Sequence, residues 1–431
     1  MEQIAGLVGR NFGAARDELL VGGVPITEIV AGFGTPLFVY SADVVDRTWA
    51  LLRRTFPPRF RVSYSVKANP NVALVKRFVS NGCGLEAASS GEIAVARAAG
   101  CPSEEILFAG PGKTDAELEH ALRERIGEIH VESLNEAMRI SMIAGRLGLK
   151  APVALRVNPV ADAQGGAMRM GGKPAPFGID EEQLGEVVDK VMSDPALDLR
   201  GLHLFAGTQI LNHEVLLRQY RKGIELARAV AQQVSRPLAT LDFGGGLGIP
   251  YFPAERQLDM GALQVGLRGL VEEAEDDPAL RDTSFVIEPG RYLVGEAGIY
   301  VTRVVDVKVS RGKTFVIVDG GMNHHLAASG NLGQVIKRSF PIAILNKIGR
   351  GGGEPTEVVG PLCTPLDTLG RDVHLPAAEV NDLVGIFQSG AYGLTASPIH
   401  FLSHPTPAEV LVDNGRTQEI RARGERARPS S

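Results

Sequence analysis

The chain has 431 residues, more than one ordinary domain uses and enough for a barrel of the usual ~250 residues with a second domain. Its 44% hydrophobic and 22% charged residues suit a soluble globular protein, and the net charge of −5 argues against a nucleic-acid partner, which would want a basic face. Three cysteines, Cys83, Cys101 and Cys363, lie far apart with no CxxC pair, which excludes a sequence-evident zinc site or disulfide framework and favours a reducing compartment.

The first twenty residues carry Glu2, Arg10, Arg16, Asp17 and Glu18, so neither a signal peptide nor a membrane span fits there and a cytoplasmic location is expected. Gly34-Thr35-Pro36 is a turn, followed by a short buried strand, Leu37 to Tyr40. Val44 to Phe56 reads as a helix. Val62, Tyr64 and Val66 then alternate with Ser63, Ser65 and Lys67, the period of a strand, over Arg61 to Lys67. Asn69-Pro70 stops it, because a residue before proline is pushed out of helical geometry. Val72 to Asn81 is helical up to Gly82. Gly84 to Ala87 is a strand, and Ser89-Ser90-Gly91-Glu92 is a helix-start signal. Further strands are expected at Ile106–Ala109, Glu128–Val131, Val153–Val157, Leu202–Phe205, Thr240–Phe243 and Ser284–Ile287. Counted from Arg61, eight strands alternate with helices, which predicts an α/β fold with a closed parallel (β/α)8 barrel over 43–294.

After Gly290 the texture changes. Gly298–Val307, Thr314–Val318, Asp382–Phe387 and Ala408–Val412 are strand-like without clear helices between them. Residues 1–42 and 295–431 are therefore expected to form a β domain, into which the Leu37–Tyr40 strand could return. The tail from Arg421 to Ser431 is expected to fray.

Five stretches carry candidate chemistry. Lys67 at the end of a barrel strand lies where barrel enzymes hold their chemistry, and a partly desolvated amine can attack an aldehyde; a lysine snorkelling at a strand end is the alternative. Gly244-Gly245-Gly246-Leu247-Gly248 follows a strand, so bare N–H groups could cradle a phosphate, or simply make a tight turn. Glu288-Pro289-Gly290-Arg291-Tyr292 offers a carboxylate and a guanidinium, or a surface ion pair. Gly360-Pro361-Leu362-Cys363-Thr364-Pro365-Leu366-Asp367 packs Pro, Cys and Asp into one loop. Ser389-Gly390-Ala391-Tyr392-Gly393 sets an aromatic hydroxyl between glycines. Together they meet one requirement: a lysine linked to pyridoxal phosphate needs an amine, a phosphate cradle and a partner for the pyridine nitrogen.

In this order, from about Thr35 to Val412, the motifs resemble the fold-type III pyridoxal-phosphate decarboxylases, an alanine racemase-like fold that includes diaminopimelate, ornithine and arginine decarboxylases. The resemblance implies that Lys67 binds the cofactor aldehyde and that Glu288 pairs with the pyridine nitrogen. It further implies that Thr208, Gly244, Gly245, Gly246, Arg291 and Tyr392 hold the phosphate. Cys363 would protonate Cα, reaching in from the partner subunit of a homodimer with shared active sites, and Asp367 would help shape that site. Where the family stacks a histidine on the cofactor ring, His203-Leu204-Phe205 offers Phe205. Where it meets a distal amine with an acidic residue, Thr364 stands. Where it clamps a distal carboxylate with arginine, the chain reads His324-His325.

The missing groups, with 171–178, 360–366 and 397–405, resemble a subgroup that decarboxylates acidic amino acids held as thioesters on an acyl carrier protein, as in antibiotic biosynthesis of the butirosin type. That implies an aspartyl, 3-methylaspartyl or glutamyl substrate, with Thr364, Asp367 and His324 near it. Because carrier proteins are typically acidic and this chain carries a net charge of −5, docking needs a local basic patch, for which Arg169 and Lys173 are the candidates. The rivals are diaminopimelate decarboxylation, amino-acid racemisation, against which Glu288 speaks, and a non-catalytic cofactor-binding protein, against which the long β domain speaks. His324, His325, His400 and His404 lack a spacing that would converge them on a metal, and none is expected.

Overall fold

Eight parallel strands close into a barrel in the unit formed by Ala50–Ile249 and Gln257–Gly290. They are β1 Phe60–Ser65, β2 Gly84–Ala87, β3 Ile106–Phe108, β4 Glu128–Val131, β5 Ala151–Asn158, β6 Leu197–Leu204, β7 Thr240–Asp242 and β8 Ser284–Ile287. Each pairs with the next and β8 returns to β1, so the ring leaves no free edge among these eight. The computed structural model describes residues 2–160, 168–169, 174–205, 207–334 and 336–424.

The helices start where the sequence supplies a cap. Ser89 and Ser133 accept from the backbone N–H of Glu92 and Glu136, and Thr114 with Glu117 forms a reciprocal capping box. Because helices cover the sheet, β2, β3 and β4 are buried along their whole length. Phe60, Tyr220, Phe243 and Phe285 pack ring to ring beneath the helix His213–Gln233. Gly223 permits that approach: a Cβ there would lie 2.9 Å from the Phe243 ring.

One boundary differs from expectation in a way that matters. The strand expected over Arg61 to Lys67 ends at Ser65, and Val66–Ala68 makes a single 3₁₀ turn. Lys67 therefore leaves the backbone from a turn, free of the up-down alternation of the strand. Asn69 is extended, with φ −158° and ψ 104°, as the following proline requires.

The second unit comprises Met1–Trp49, Pro250–Arg256 and Arg291–Ser431. Leu37–Ser41 pairs antiparallel with Gly298–Ser310 and parallel with Ala408–Asp413, so the early strand does return into this sheet. Gly298–Ser310 also pairs with Lys313–Val318 and Leu383–Ile386. The helices Glu2–Asn11 and Ile26–Phe33, the meander Gly13–Ala15, Glu18–Val21, Val24–Pro25, and the strands Ile342–Ile344, Pro355–Val359, Thr368–His374 and Arg416–Arg421 were not expected. For the strands of the meander and Ile342–Ile344, two to four residues are too short to show a period. Apolar residues of these helices and strands, among them Leu19, Val21, Ile26 and Ile29, join one core with Leu37, Val39, Ile299 and Val410. The tail expected to fray begins at the end of Arg416–Arg421, and its residues 425–431 lie outside the described residues. No helix among the described residues is long and apolar enough to cross a membrane.

Candidate active site

Lys67 donates from Nζ to both carboxylate oxygens of Glu86, at 2.9 and 2.8 Å. Register pairs Ser65 with Glu86 across β1 and β2, and the Ser65 hydroxyl donates to the same carboxylate. The Lys67 side chain is 46% exposed and that of Glu86 1%. Thus a buried carboxylate, costly alone, is satisfied by a serine on one side and by an amine that remains reachable on the other. Sequence reading missed Glu86. Its signal was a lone carboxylate inside a strand that is otherwise apolar.

Glu288 directly follows β8, and its N–H donates to the Gly244 carbonyl at 2.9 Å. Its carboxylate lies 3.4 Å from His203 Nε2 and 3.8 Å from His130 Nδ1. The two imidazoles are stacked, with centroids 4.3 Å apart. His130 Nε2 lies 3.2 Å from Glu128, which accepts from the Thr240 hydroxyl at 2.6 Å, and Asp242 accepts from the Gly244 N–H at 2.7 Å. Burial pushes His203 down to about 4, with the nearby Glu288 carboxylate working against it. Burial, then the Glu288 charge, push Asp242 well up. Burial also works to raise Glu288, but His203, His130 and Lys67 outweigh it and hold Glu288 well below the usual range. Within this cluster the two carboxyls are therefore pushed in opposite directions, Asp242 upward and Glu288 downward.

The glycine turn after β7 is locally obligatory. Gly244 and Gly246 have φ of +67° and +89°, and a Cβ on Gly245 would lie 2.4 Å from the Glu288 carbonyl. The N–H groups of Gly245 and Gly246 donate to nothing among the described residues, which leaves two donors for an anion. The Phe205 ring lies over this turn, within 2.8 Å of where a Gly244 Cβ would stand. Thr208 is half-buried in the strand Gly207–Thr208, which pairs with Met168–Arg169. Of the basic pair expected to receive a carrier, Arg169 belongs to that strand and Lys173 lies outside the described residues.

In the second unit, Arg291 donates from Nη1 to the Tyr251 hydroxyl at 2.9 Å, and its guanidinium carbon lies 4.7 Å from the Tyr392 ring centroid. Tyr251 was not singled out from sequence, where it stands in a proline-flanked loop. Arg291 Nε is buried without a partner among the described residues, a donor left for an anion. Tyr392 adopts φ +53°, uncommon for a side chain of this size. Cys363 is exposed on the loop between Pro355–Val359 and Thr368–His374.

Two residues expected near the substrate are engaged within the fold. Asp367 is buried and accepts from the N–H groups of Met322 and Leu362 at 2.7 and 2.9 Å, so its carboxylate pins the Cys363 loop to the Gly320–Gly321 turn. His324 is buried with Nδ1 3.0 Å from the Tyr300 hydroxyl and Nε2 3.0 Å from the Pro405 carbonyl, which leaves it no ring atom for a substrate. Thr364 is half-buried, its hydroxyl accepting from Leu366 N–H at 3.3 Å. Among the described residues His324, His325, His400 and His404 form no metal-ligating group.

His325 supports a stability prediction. It is buried, bonded to the Ser389 hydroxyl at 2.9 Å, and burial pushes it down to about 3. The folded state then holds it neutral while an unfolded chain takes up a proton below about pH 6.5. Its contribution to stability is complete above that pH and falls as pH drops towards 3. His325→Gln is expected to flatten the loss of unfolding free energy between pH 6 and 4 by roughly 1.4 kcal/mol per pH unit, measured by denaturant titration. Parallel pH slopes for both proteins would rule the imidazole out.

A family model described as "Pyridoxal-dependent decarboxylase, pyridoxal binding domain" matches residues 42–295. The L-glutamyl-[BtrI acyl-carrier protein] decarboxylase of Niallia circulans is 41% identical over 93% of this chain and 94% of its own length. The diaminopimelate decarboxylase of Aquifex aeolicus is 33% identical, covering 94% and 93%. Among solved structures, diaminopimelate decarboxylase from M. jannaschii with L-lysine superposes with a TM-score of 0.88 at 26% identity, over 96% of this chain and 95% of that one. The Helicobacter pylori enzyme with L-lysine gives 0.80 at 29%, over 93% and 96%.

Proposed function

The chain belongs to the pyridoxal-dependent decarboxylases, and on that premise we propose that its substrate is an acidic amino acid held as a thioester on an acyl carrier protein. The enzyme is a carboxy-lyase that uses pyridoxal 5′-phosphate. In the barrel unit the residues present fit that cofactor: a reachable amine at Lys67, a carboxylate at Glu288 that its neighbours push towards the ionised form, and unspent donors at Gly245 and Gly246. The proposed contacts are Lys67 to the aldehyde, Glu288 to the pyridine nitrogen, Phe205 against the ring, and Thr208, Gly244 to Gly246, Arg291 and Tyr392 to the phosphate. Bound there, the cofactor supplies a sink for the electron pair released when the carboxyl leaves Cα. The chain's own part is to hold it: Glu288 would keep the ring nitrogen's proton, and Glu86 positions Lys67 Nζ for the cofactor aldehyde. Cys363 is the proposed proton donor to Cα, acting in the neighbouring subunit of a homodimer; its exposure supports that role.

One observation carries the substrate reading. The stretch that would hold a clamp for a distal carboxylate is His324-His325, and both imidazoles are buried, hydrogen-bonded inside their own unit and held neutral by burial. A free acidic amino acid or diaminopimelate would bring an unpaired carboxylate, whereas a thioester is neutral there. The higher identity to a glutamyl-carrier decarboxylase than to diaminopimelate decarboxylases agrees. The product would be a β- or γ-amino acyl carrier, made in the cytoplasm for natural-product biosynthesis, with Arg169 and Lys173 as the carrier's landing point. CO2 release from glutamyl and aspartyl carrier proteins is expected to exceed that from free diaminopimelate by ~100-fold or more in kcat/KM. Equal or faster release from free diaminopimelate would move the enzyme to lysine biosynthesis.

A further inference from the structure

The cluster around Glu288 is larger than one carboxylate contact needs, and its centre is a residue that no motif singles out. His130 stands on β4 with its ring fully buried. Glu128 faces it from the same strand, His203 from β6, Asp242 from β7, and Glu288 from the end of β8. Lys67 after β1 acts on Glu288 at longer range, and Arg156 on β5 acts on His203. The Glu128 carboxylate accepts from Thr240 on β7, a strand that is not its sheet neighbour, so the group lies inside the barrel. The backbone is fixed as well. Lys113, itself buried, donates to the His130 carbonyl at 2.7 Å and to Glu136 at 2.9 Å.

The ligand atoms of His130, His203 and Glu288 lie within 4.8 Å of one another. Neither ring finds a close hydrogen-bond partner among the described residues, although each has carboxylates within 4 Å. Two buried imidazoles 4.3 Å apart cannot both be charged at small cost, so the stack offers its carboxylates N–H dipoles.

We propose that His130 and His203 act as a stacked pair of positioning residues that keeps Glu288 ionised, and that His130 thereby sets the protonation of the pyridine nitrogen of the bound cofactor. The proposal rests on Glu288 being that nitrogen's partner. His203 touches Glu288 directly, at 3.4 Å. His130 bridges the Glu128 and Glu288 sides of the cluster, and so fixes which carboxyl carries the shared proton. With His130 lost, burial would act on Glu288 less opposed, the carboxylate would rise, and its hold on the pyridine proton would weaken.

The holoenzyme loaded with pyridine-¹⁵N pyridoxal phosphate tests this through the ¹⁵N shift between about pH 6 and pH 9. The wild-type nitrogen is expected to stay protonated throughout. In His130→Phe it should titrate inside that window, its apparent pKa lower by about one unit or more. His130→Gln, which retains a hydrogen-bonding group and is the safer variant to fold, should fall between the two. Glu288→Gln should lose the protonated signal across the range. An unchanged nitrogen in both His130 variants, with Glu288→Gln shifted, would reduce His130 to packing and overturn the inference. An unchanged nitrogen in Glu288→Gln would overturn instead the reading of Glu288. Stoichiometric metal in the purified wild-type protein, lost with His130, would also overturn the inference by making the cluster a metal site.

Discussion

Lys67→Ala is expected to abolish the visible absorption of bound cofactor and to lower turnover by about 10⁴-fold or more, because no other amine stands in its place. Borohydride reduction of the wild-type holoenzyme should fix the cofactor to the peptide containing Lys67, and the variant should take up no label. The argument is one of access. Lys67 is 46% exposed at its side chain, and its amine is held at the Glu86 carboxylate where an aldehyde can reach it. Lys113 is the other lysine deep in the barrel unit, and it is the weaker candidate. Its side chain is 1% exposed, and its ammonium donates to the Gly110 and His130 carbonyls and to Glu136, which occupies every hydrogen it has. Burial pushes Lys113 down, but an amine with three filled contacts and no exposure has nowhere to receive an aldehyde. A reduced label on Lys113 or on any surface lysine would sink the assignment.

The barrel was legible because buried parallel strands repeat one pattern eight times, each closed by a cap or a glycine that local chemistry explains. The place of Lys67 at a strand end was legible, although the strand ends two residues early; proline at 70 marks the stop and leaves the 3₁₀ turn unsignalled. Its partner Glu86 was overlooked for a different reason. A single carboxylate in a four-residue strand has no period, and only the register with Ser65 shows what it faces. His130 is a sharper case. Glu128 and His130 sit two apart on β4, so the strand period places them on one face, but their meeting with His203, Asp242 and Glu288 is made by ring closure between strands distant in sequence. For His324, position in a motif suggested a place near the substrate, and only the fold shows its bonds to Tyr300 and Pro405. The two- to four-residue strands of the second unit were hidden by their length.

The last expectation concerns Cys363 and the proposed dimer. Cys363→Ala should slow turnover by roughly 10²-fold or more while the affinity for the cofactor stays within about twofold, since the thiol acts only on Cα after the carboxyl has gone. The loop itself should survive the change, because it is pinned by Asp367 to Met322 and Leu362 and not by the cysteine, which is exposed and makes no bridge. Asp367→Asn is the contrasting variant: it weakens the pin and is expected to lower activity and melting temperature together. If each site takes its cysteine from the neighbouring subunit, Lys67→Ala and Cys363→Ala proteins are each inactive but complementary. Random exchange puts half of the dimers in the mixed form, and one of the two sites in each mixed dimer carries both Lys67 and Cys363. The mixture should therefore recover about a quarter of wild-type activity. Subunit exchange followed by mass spectrometry fixes the mixed fraction independently. Full exchange with no recovered CO2 release would mean that Lys67 and Cys363 serve the same site from one chain, and the shared-site proposal would fall.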